Sequence, residues 1–482
     1  MELNIASRPR SARTKIVATV GPACREPARL TEMIRKGVDV FRLNMAHGQC
    51  DQQEQVIHDI RRASDEAGRL VGILVDLAGP KIRLGQLFQD PTECHAGDEF
   101  CFARGSTARA ERELVSNYEA LIDELSVGDQ VMLADGTVSM SVTQKSADQV
   151  RCRVTGGGLV RSRQGINLPG VDLSVPAMTE KDLADAEWAA RMDVDLISLS
   201  FVRSADEVYR LKQLVQHHGS AALTIAKIEK GEALKQLEQI VLAADGIMVA
   251  RGDLGVEIDL AETPAAQKRI ITTCQQQARP VIVATQMLDS MQHSRRPTRA
   301  EVSDVANAIL DGADACMLSG ETAIGDFPVE TVEMMGRIME ATERLLLHRA
   351  DASPPVPALT GVHPITSATV NGAVEIARQL HAALMVIATH GGATARVKSK
   401  LRDGIPVVAV SDSPQTLRQL SLYWGVTPLP GAPVTNGPEL RRFIDQWGRT
   451  AGLLTTGDRV VYVTVSDFVS NAHNGVVVQE VE

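Results

Sequence analysis

Eight short apolar segments constrain this chain more than any other feature. They are residues 15–20, 40–44, 72–77, 195–201, 224–229, 246–251, 280–286 and 315–321, each rich in Val, Ile or Leu. Most are followed by an amphipathic stretch, such as 26–36 or 230–242. Apolar strands alternating with helices predict a parallel sheet covered on its faces. Eight such units fit an α/β (β/α)8 TIM barrel, whose active site lies at the C-terminal ends of its strands. Those ends carry Arg42 and Asn44, Asp76, Ser200, Lys227 and Glu229, Arg251 to Asp253, Thr285, and Ser319 to Glu321. A ring of cations, carboxylates and hydroxyls is the outline of a phosphate and metal site.

The alternation breaks after Asp76. Between 81 and 171 the pattern becomes that of an all-β domain, with strands expected at 99–103, 130–133, 139–143 and 149–154 and Gly-Asp and Asp-Gly turns between them. This is an inserted small β-barrel acting as a lid on the loop after the third strand. The barrel is expected over 1–80 and 172–347. A Pro- and Gly-rich linker, 351–361, then opens a C-terminal open α/β sheet domain within 348–482. There the expected helices are 367–380, 394–401 and 414–422, and the expected strands 384–389, 406–410, 459–465 and 475–481.

Composition sets limits on function. A net charge of −10 argues against a nucleic-acid or anionic-membrane binder. No apolar run approaches the roughly 20 residues that span a bilayer. Seven cysteines, with no C-x-x-C pair, read as reduced thiols of a cytoplasmic protein. The first residues carry arginines at 8, 10 and 13 but no secretory apolar core.

Lys227 and Glu229 are two apart on a strand, so both face the barrel mouth. A surface ion pair is the bland reading. The functional one is a carboxylate holding a divalent metal beside a lysine that neutralises a phosphoryl or enolate oxygen. Asp253 offers a second metal carboxylate, and Gly252 lets backbone N–H groups approach an anion, although an ordinary turn explains both glycines. Arg42 and Arg83 suit phosphate oxygens. His47 reads as a polar contact, since no partner stands at metal-ligand spacing. Thr285, Ser319 and Glu321 add a hydroxyl pair and a carboxyl for a substrate carboxylate or a proton relay.

Taken together, Thr14-Lys-Ile-Val-Ala-Thr-Val-Gly-Pro22, Arg42-Leu-Asn-Met-Ala-His-Gly48, Gly165-Ile-Asn-Leu-Pro-Gly170, Lys227-Ile-Glu229, Met248-Val-Ala-Arg-Gly-Asp-Leu-Gly255, Ala284-Thr-Gln-Met-Leu-Asp-Ser-Met291, Arg296-Pro-Thr-Arg-Ala-Glu301 and Met317-Leu-Ser-Gly-Glu-Thr322 resemble the pyruvate kinase family. The resemblance implies phosphoryl transfer from phosphoenolpyruvate to ADP, giving pyruvate and ATP at the end of glycolysis, by a homotetramer. It implies Mg2+, or Mn2+ in its place, on Glu229 and Asp253. Lys227 would stabilise the phosphoryl group and the enolate, Arg42 would grip the phosphate, and the Gly252–Asp253 amides with Thr285 would take the carboxylate. Enolate protonation would run near Thr285, Ser319 and Glu321. Asn44, His47 and Arg83 would face the nucleotide, as would Gln164, which stands where relatives often carry Lys.

Three departures bear on function. Many relatives hold K+ with an Asn, a Ser, an Asp and a backbone carbonyl. Here Asn44 and Asp76 remain as a vestigial K+ site, Ala46 replaces the Ser, and Leu77 follows Asp76. Lys81 replaces the usual Glu, and its ammonium would supply the charge of K+, so no K+ requirement is expected. Thr389-His-Gly-Gly-Ala-Thr394 resembles the family's effector loop, with Thr389, Gly391, Gly392 and Thr394 as phosphate contacts for a sugar phosphate or nucleotide; a plain glycine turn is the alternative. Two competing functions stand beside the main one: a catalytically weak paralogue that senses metabolites, and another Mg2+-enolate barrel enzyme.

Overall fold

A computed structural model describes residues 10–48, 50–349, 359–464 and 475–482. All eight expected barrel strands form: β1 Lys15–Thr19, β2 Val40–Asn44, β3 Gly72–Asp76, β4 Leu196–Leu199, β5 Leu223–Ile228, β6 Gly246–Ala250, β7 Val281–Ala284 and β8 Ala315–Leu318. They close into a barrel in which each strand pairs with its sequence neighbours and β8 returns to β1, all parallel. Ile16, Phe41, Ile73, Ile197, Ile247 and Val283 face outward and pack on the surrounding helices. Helix starts are set by local chemistry. Thr298 accepts from Glu301 N at the head of Arg299–Asp311, and Glu301 bonds back in a capping box. Gly312, at φ 102°, ends that helix in the conformation only glycine adopts cheaply.

One expected helix divides. Residues 230–242 form two, Gly231–Lys235 and Leu237–Ala243, with a break at Gln236. Each piece buries its own residues, Ala233 in the first and Leu237, Ile240 and Val241 in the second.

The chain leaves the barrel at Gly79 and enters a six-stranded sheet with a separate two-stranded ribbon. The strands Glu99–Ala103 and Gln130–Leu133 fall where the pattern set them, while Val138–Lys145 and Gln149–Gly156 run longer. Their alternate residues, Phe100 and Phe102, Val131 and Leu133, Met140 and Val142, build one apolar core.

The C-terminal domain is a five-stranded sheet in the order Val426–Pro428, Val407–Val410, Leu384–Ala388, Arg459–Thr464, Gly475–Glu480, with the last pair antiparallel. The expected interdomain linker, 351–361, falls mostly outside the described residues. The sheet joins the floor of the barrel: Met385, Ile387 and Val461 share a core with the barrel-lining Val40, Leu74 and Met248.

Candidate active site

Strand alternation builds the site. Val17, Val40, Leu74, Leu196, Ile225, Met248 and Ile282 form one apolar layer inside the barrel. Two residues further along the same strands, with the same inward parity, stand Thr19, Arg42, Asp76, Ser198 and Lys227. Another two along come Asn44, Ser200 and Glu229. The barrel is therefore filled with hydrocarbon below and with charge at its mouth.

Asp76 is the hub of that charged layer. Its Oδ2 accepts from Arg42 Nε at 2.7 Å and Nη2 at 2.5 Å, and its Oδ1 accepts from Ser198 Oγ at 2.6 Å. Lys227 Nζ lies 3.3 Å from Asp76 Oδ1 and 3.0 Å from Glu229 Oε1, and donates to Ser200 Oγ at 2.7 Å. Arg42 Nη1 donates to Thr19 Oγ1 at 3.0 Å. Phe201, held at φ 55°, turns its N–H onto Glu229 Oε2 at 2.6 Å. Ser198 was invisible as a site residue in the motifs, although its parity with Lys227 marks it.

The electrostatics follow from these distances. Burial favours the neutral form of Asp76, but Lys227 and Arg42 outweigh it and hold its carboxyl below the ordinary range. Burial likewise disfavours the Lys227 ammonium, and Asp76 with Glu229 reverses the effect, so its pKa rises above the usual lysine value. Glu229 moves up: burial dominates, Lys227 opposes it, and repulsion from Asp253 adds to it.

The remaining elements close the ring. Gly252 N, at the start of the helix Arg251–Glu257, donates to Thr285 Oγ1 at 2.9 Å, and that hydroxyl donates to Ala284 O at 2.7 Å. Asp253 follows in the same first turn, where helical N–H groups have no intrahelical acceptor. Lys81 Nζ comes within 3.6 Å of Asp253 Oδ1. Its stem lies over Gly165, where an added Cβ would stand 3.2 Å from Lys81 Cε.

These motifs run in order through both large domains, and the match is quantitative. Residues 11–332 fit the model of the pyruvate kinase barrel domain and residues 367–478 that of the pyruvate kinase alpha/beta domain. The chain belongs to the pyruvate kinase family. It is 41% identical over 454 residues to a pyruvate kinase of Mycobacterium intracellulare, covering 94% of this chain and 95% of that one. It is 44% identical over 425 residues to pyruvate kinase 2 of Synechocystis, covering 87% and 71% of the two chains. A pyruvate kinase of Corynebacterium efficiens is 42% identical over 414 residues, 86% of each chain. As a member of this family the chain is a phosphotransferase.

The pyruvate kinase family generally uses a divalent metal, and the donor chemistry here fits one. Glu229 and Asp253 offer hard oxygens close enough to repel one another. Among the described residues no cluster of three or more His, Cys, Asp or Glu could hold a metal. An ion on this pair would complete its shell from substrate and water, as Mg2+ commonly does.

Other expected residues lie apart from this centre or serve the backbone. Asn44 Oδ1 caps Ala46 N at 3.1 Å, and His47 is exposed. Arg83 donates to Arg163 O at 3.1 Å, inside the inserted domain, and Gln164 Oε1 accepts from Arg161 N at 2.6 Å. Glu321 is buried, with Oε1 taking Leu288 N at 3.1 Å and Oε2 taking Ser319 N at 2.7 Å; burial raises its pKa. Ser319 Oγ is buried with no hydrogen-bond partner among the described residues. In the C-terminal domain, Thr389 Oγ1 accepts from Gly392 N at 3.1 Å, and Gly392, at φ 78°, caps the helix Ala393–Leu401. Gly391 is exposed and Thr394 buried beside it.

Proposed function

We propose that this chain transfers the phosphoryl group of phosphoenolpyruvate to ADP, giving pyruvate and ATP in the cytoplasm at the end of glycolysis. The observation that carries this reading is the cationic pair Arg42–Lys227, fastened to one buried carboxylate, Asp76, at the barrel mouth. Two cations fixed before substrate arrives need no reorganisation when charge moves between oxygens.

Arg42 and Lys227 bind the phosphoryl oxygens. Lys227, whose raised pKa keeps it an ammonium, neutralises charge and does not act as a base. The enol-ester P–O bond breaks as a P–O bond forms to the terminal oxygen of ADP. The enolate left behind takes a proton at its methylene carbon through a relay near Thr285. The Asp253 amide and Thr285 orient the substrate carboxylate. A Mg2+ or Mn2+ ion held by Glu229 and Asp253 would supply further neutralisation of phosphoryl and enolate oxygens. Lid closure over the mouth excludes water, and Asn44, His47, Arg83 and Gln164 lie toward the nucleotide.

We also infer that K+ is dispensable. Asp76 already accepts from Arg42 and Ser198, Asn44 Oδ1 is turned to Ala46, and the Leu77 carbonyl takes Ser200 Oγ at 2.7 Å. The potential monovalent ligands are thus engaged by the protein, and Lys81 supplies a fixed positive charge. The glycine loop at Thr389–Thr394 is read as the seat of a sugar-phosphate or nucleotide effector in a homotetramer. The test is a lactate-dehydrogenase-coupled assay with phosphoenolpyruvate, ADP and Mg2+ in choline buffer. Turnover is expected there, with K+ changing it less than twofold. No turnover in either salt would overturn the assignment, and several-fold stimulation by K+ would overturn the second inference.

A further inference from the structure

Arg251 begins the Arg-Gly-Asp run, and the mechanism above gives it no role. Its side chain is nevertheless largely buried. Nη1 pairs with Asp304 Oδ2 at 2.6 Å, on the helix Arg299–Asp311. Nη2 donates to Thr285 O at 2.8 Å and lies 2.9 Å from Met287 Sδ. The guanidinium thus ties the end of β6 to the loop after β7 and to the helix beyond.

That loop is strained. Thr285 and Gln286 lie at φ 69° and 53°, two consecutive non-glycine residues in the left-handed region. A β-branched side chain there persists only where its surroundings impose it. Two side chains do so. Arg251 holds the Thr285 carbonyl, and Glu321 Oε1 accepts from Leu288 N three residues on. The resulting conformation is the one in which Thr285 Oγ1 meets Gly252 N at 2.9 Å.

We propose that Arg251 is a positioning residue for the transfer reaction. By gripping the Thr285 carbonyl it keeps the Thr285 hydroxyl aligned with the Gly252 amide at the substrate-carboxylate end of the site. The inference rests on the function assigned above and adds a residue that acts through Thr285 without touching substrate.

The test is a double-mutant cycle on the full chain. Arg251→Met is expected to lower kcat at least tenfold, leave the KM for ADP within twofold, and cost less than twofold in a Thr285→Ala background. An equal loss in both backgrounds, or a loss under twofold in the parent, would overturn the proposal. Arg251→Lys keeps a cation for Asp304 but lacks the fork. It is expected to retain the melting midpoint and show the same coupling, and it carries the cycle if the Met variant does not fold. A crystal structure of the Lys variant gives a readout independent of turnover. Thr285 is expected to leave the left-handed region, with the Gly252–Thr285 contact opened beyond 3.5 Å, and an unchanged loop would refute the idea. If the parent protein shows no phosphoenolpyruvate turnover, the functional reading fails while this crystallographic arm still decides the positioning role.

Discussion

Lys227 keeps its charge because Asp76 and Glu229 stand 3.3 and 3.0 Å from its nitrogen. Replacing it with Met removes the ammonium that reaches both carboxylates, while Asp76 retains Arg42 and Glu229 retains the Phe201 amide. Lys227→Met is therefore expected to fold and to lose roughly 10²–10³ in kcat, the scale of losing one preorganised charge-stabilising donor. The coupled assay and a urea titration check the two halves; turnover within fivefold of the parent would remove Lys227 from the mechanism. Lys81 makes the second prediction at this scale. Lys81→Glu sets a carboxylate in place of the ammonium near Asp253, 3.6 Å away in the parent. Activity in choline buffer is expected to fall at least tenfold. A variant as active as the parent would show that Lys81 does not carry the cation's role. Strand alternation made Lys227 and Glu229 legible in the sequence, and a place at strand ends marked Arg42 and Asp76. Position at strand ends also marked Arg251 and Glu321, but not what they hold, because those contacts form after the chain has left strand geometry.

The inserted domain is joined to the barrel by an element boundary with no spare room. Gly79 adopts φ 69°, and a Cβ on it would lie 2.7 Å from the Phe201 ring and 2.9 Å from Ser200 Cβ. Phe201 in turn holds Glu229, and Ser200 holds Lys227. Gly79→Ala therefore strains the backbone and pushes on both supports of the charged cluster. The expected outcome is a melting midpoint lower by a few degrees, equivalent to about 1–2 kcal/mol, and a kcat reduced at least fivefold. An enzyme of parental kcat and midpoint would show that the hinge absorbs the methyl group. At this scale the sequence was most readable where periodicity was strong: the eight strands needed only their apolar runs. It was least readable from 423 to 438, where Pro428, Pro430, Pro433 and Pro438 hide the strand Val426–Pro428 and the helix Gly437–Thr450. The helix did carry a signal. Asn436 caps Glu439 N, and Leu440, Ile444, Trp447 and Gly448 form its buried stripe. The break at Gln236 had none, since the 230–242 pattern suits one helix as well as two.

At the scale of the whole molecule, the C-terminal domain is fastened to the barrel floor by buried charge. Lys400 and Arg402 both pair with Asp314, which also accepts Val281 N at 2.8 Å, and Arg418 Nε meets Asp195 at 2.7 Å. Nothing in the motifs announced these pairs, because each joins residues far apart in the sequence. Lys15, at the start of β1, is the least well compensated of the group. Its nearest carboxylate, Asp39, is 3.9 Å away and already engaged by Arg10 and Arg69, so Lys15 Nζ depends on Val426 O at 2.7 Å. Burial, only partly offset by Asp39, pushes its pKa down to about 8. The sign of the linkage follows. Below about pH 8 the amine is protonated in both folded and unfolded chains, and the full cost of burying that charge is present. Between about 8 and the ordinary value of 10.5 the unfolded chain binds more protons, so stability from this group rises with pH. A Lys15→Met variant has no such pH dependence. Urea titrations of both proteins at pH 7.5 and pH 10 are expected to show the parent gaining about 2–3 kcal/mol relative to the variant. A difference that stays constant across that range would mean that Lys15 remains charged at the domain seam and that the Val426 carbonyl and Asp39 suffice to hold it there.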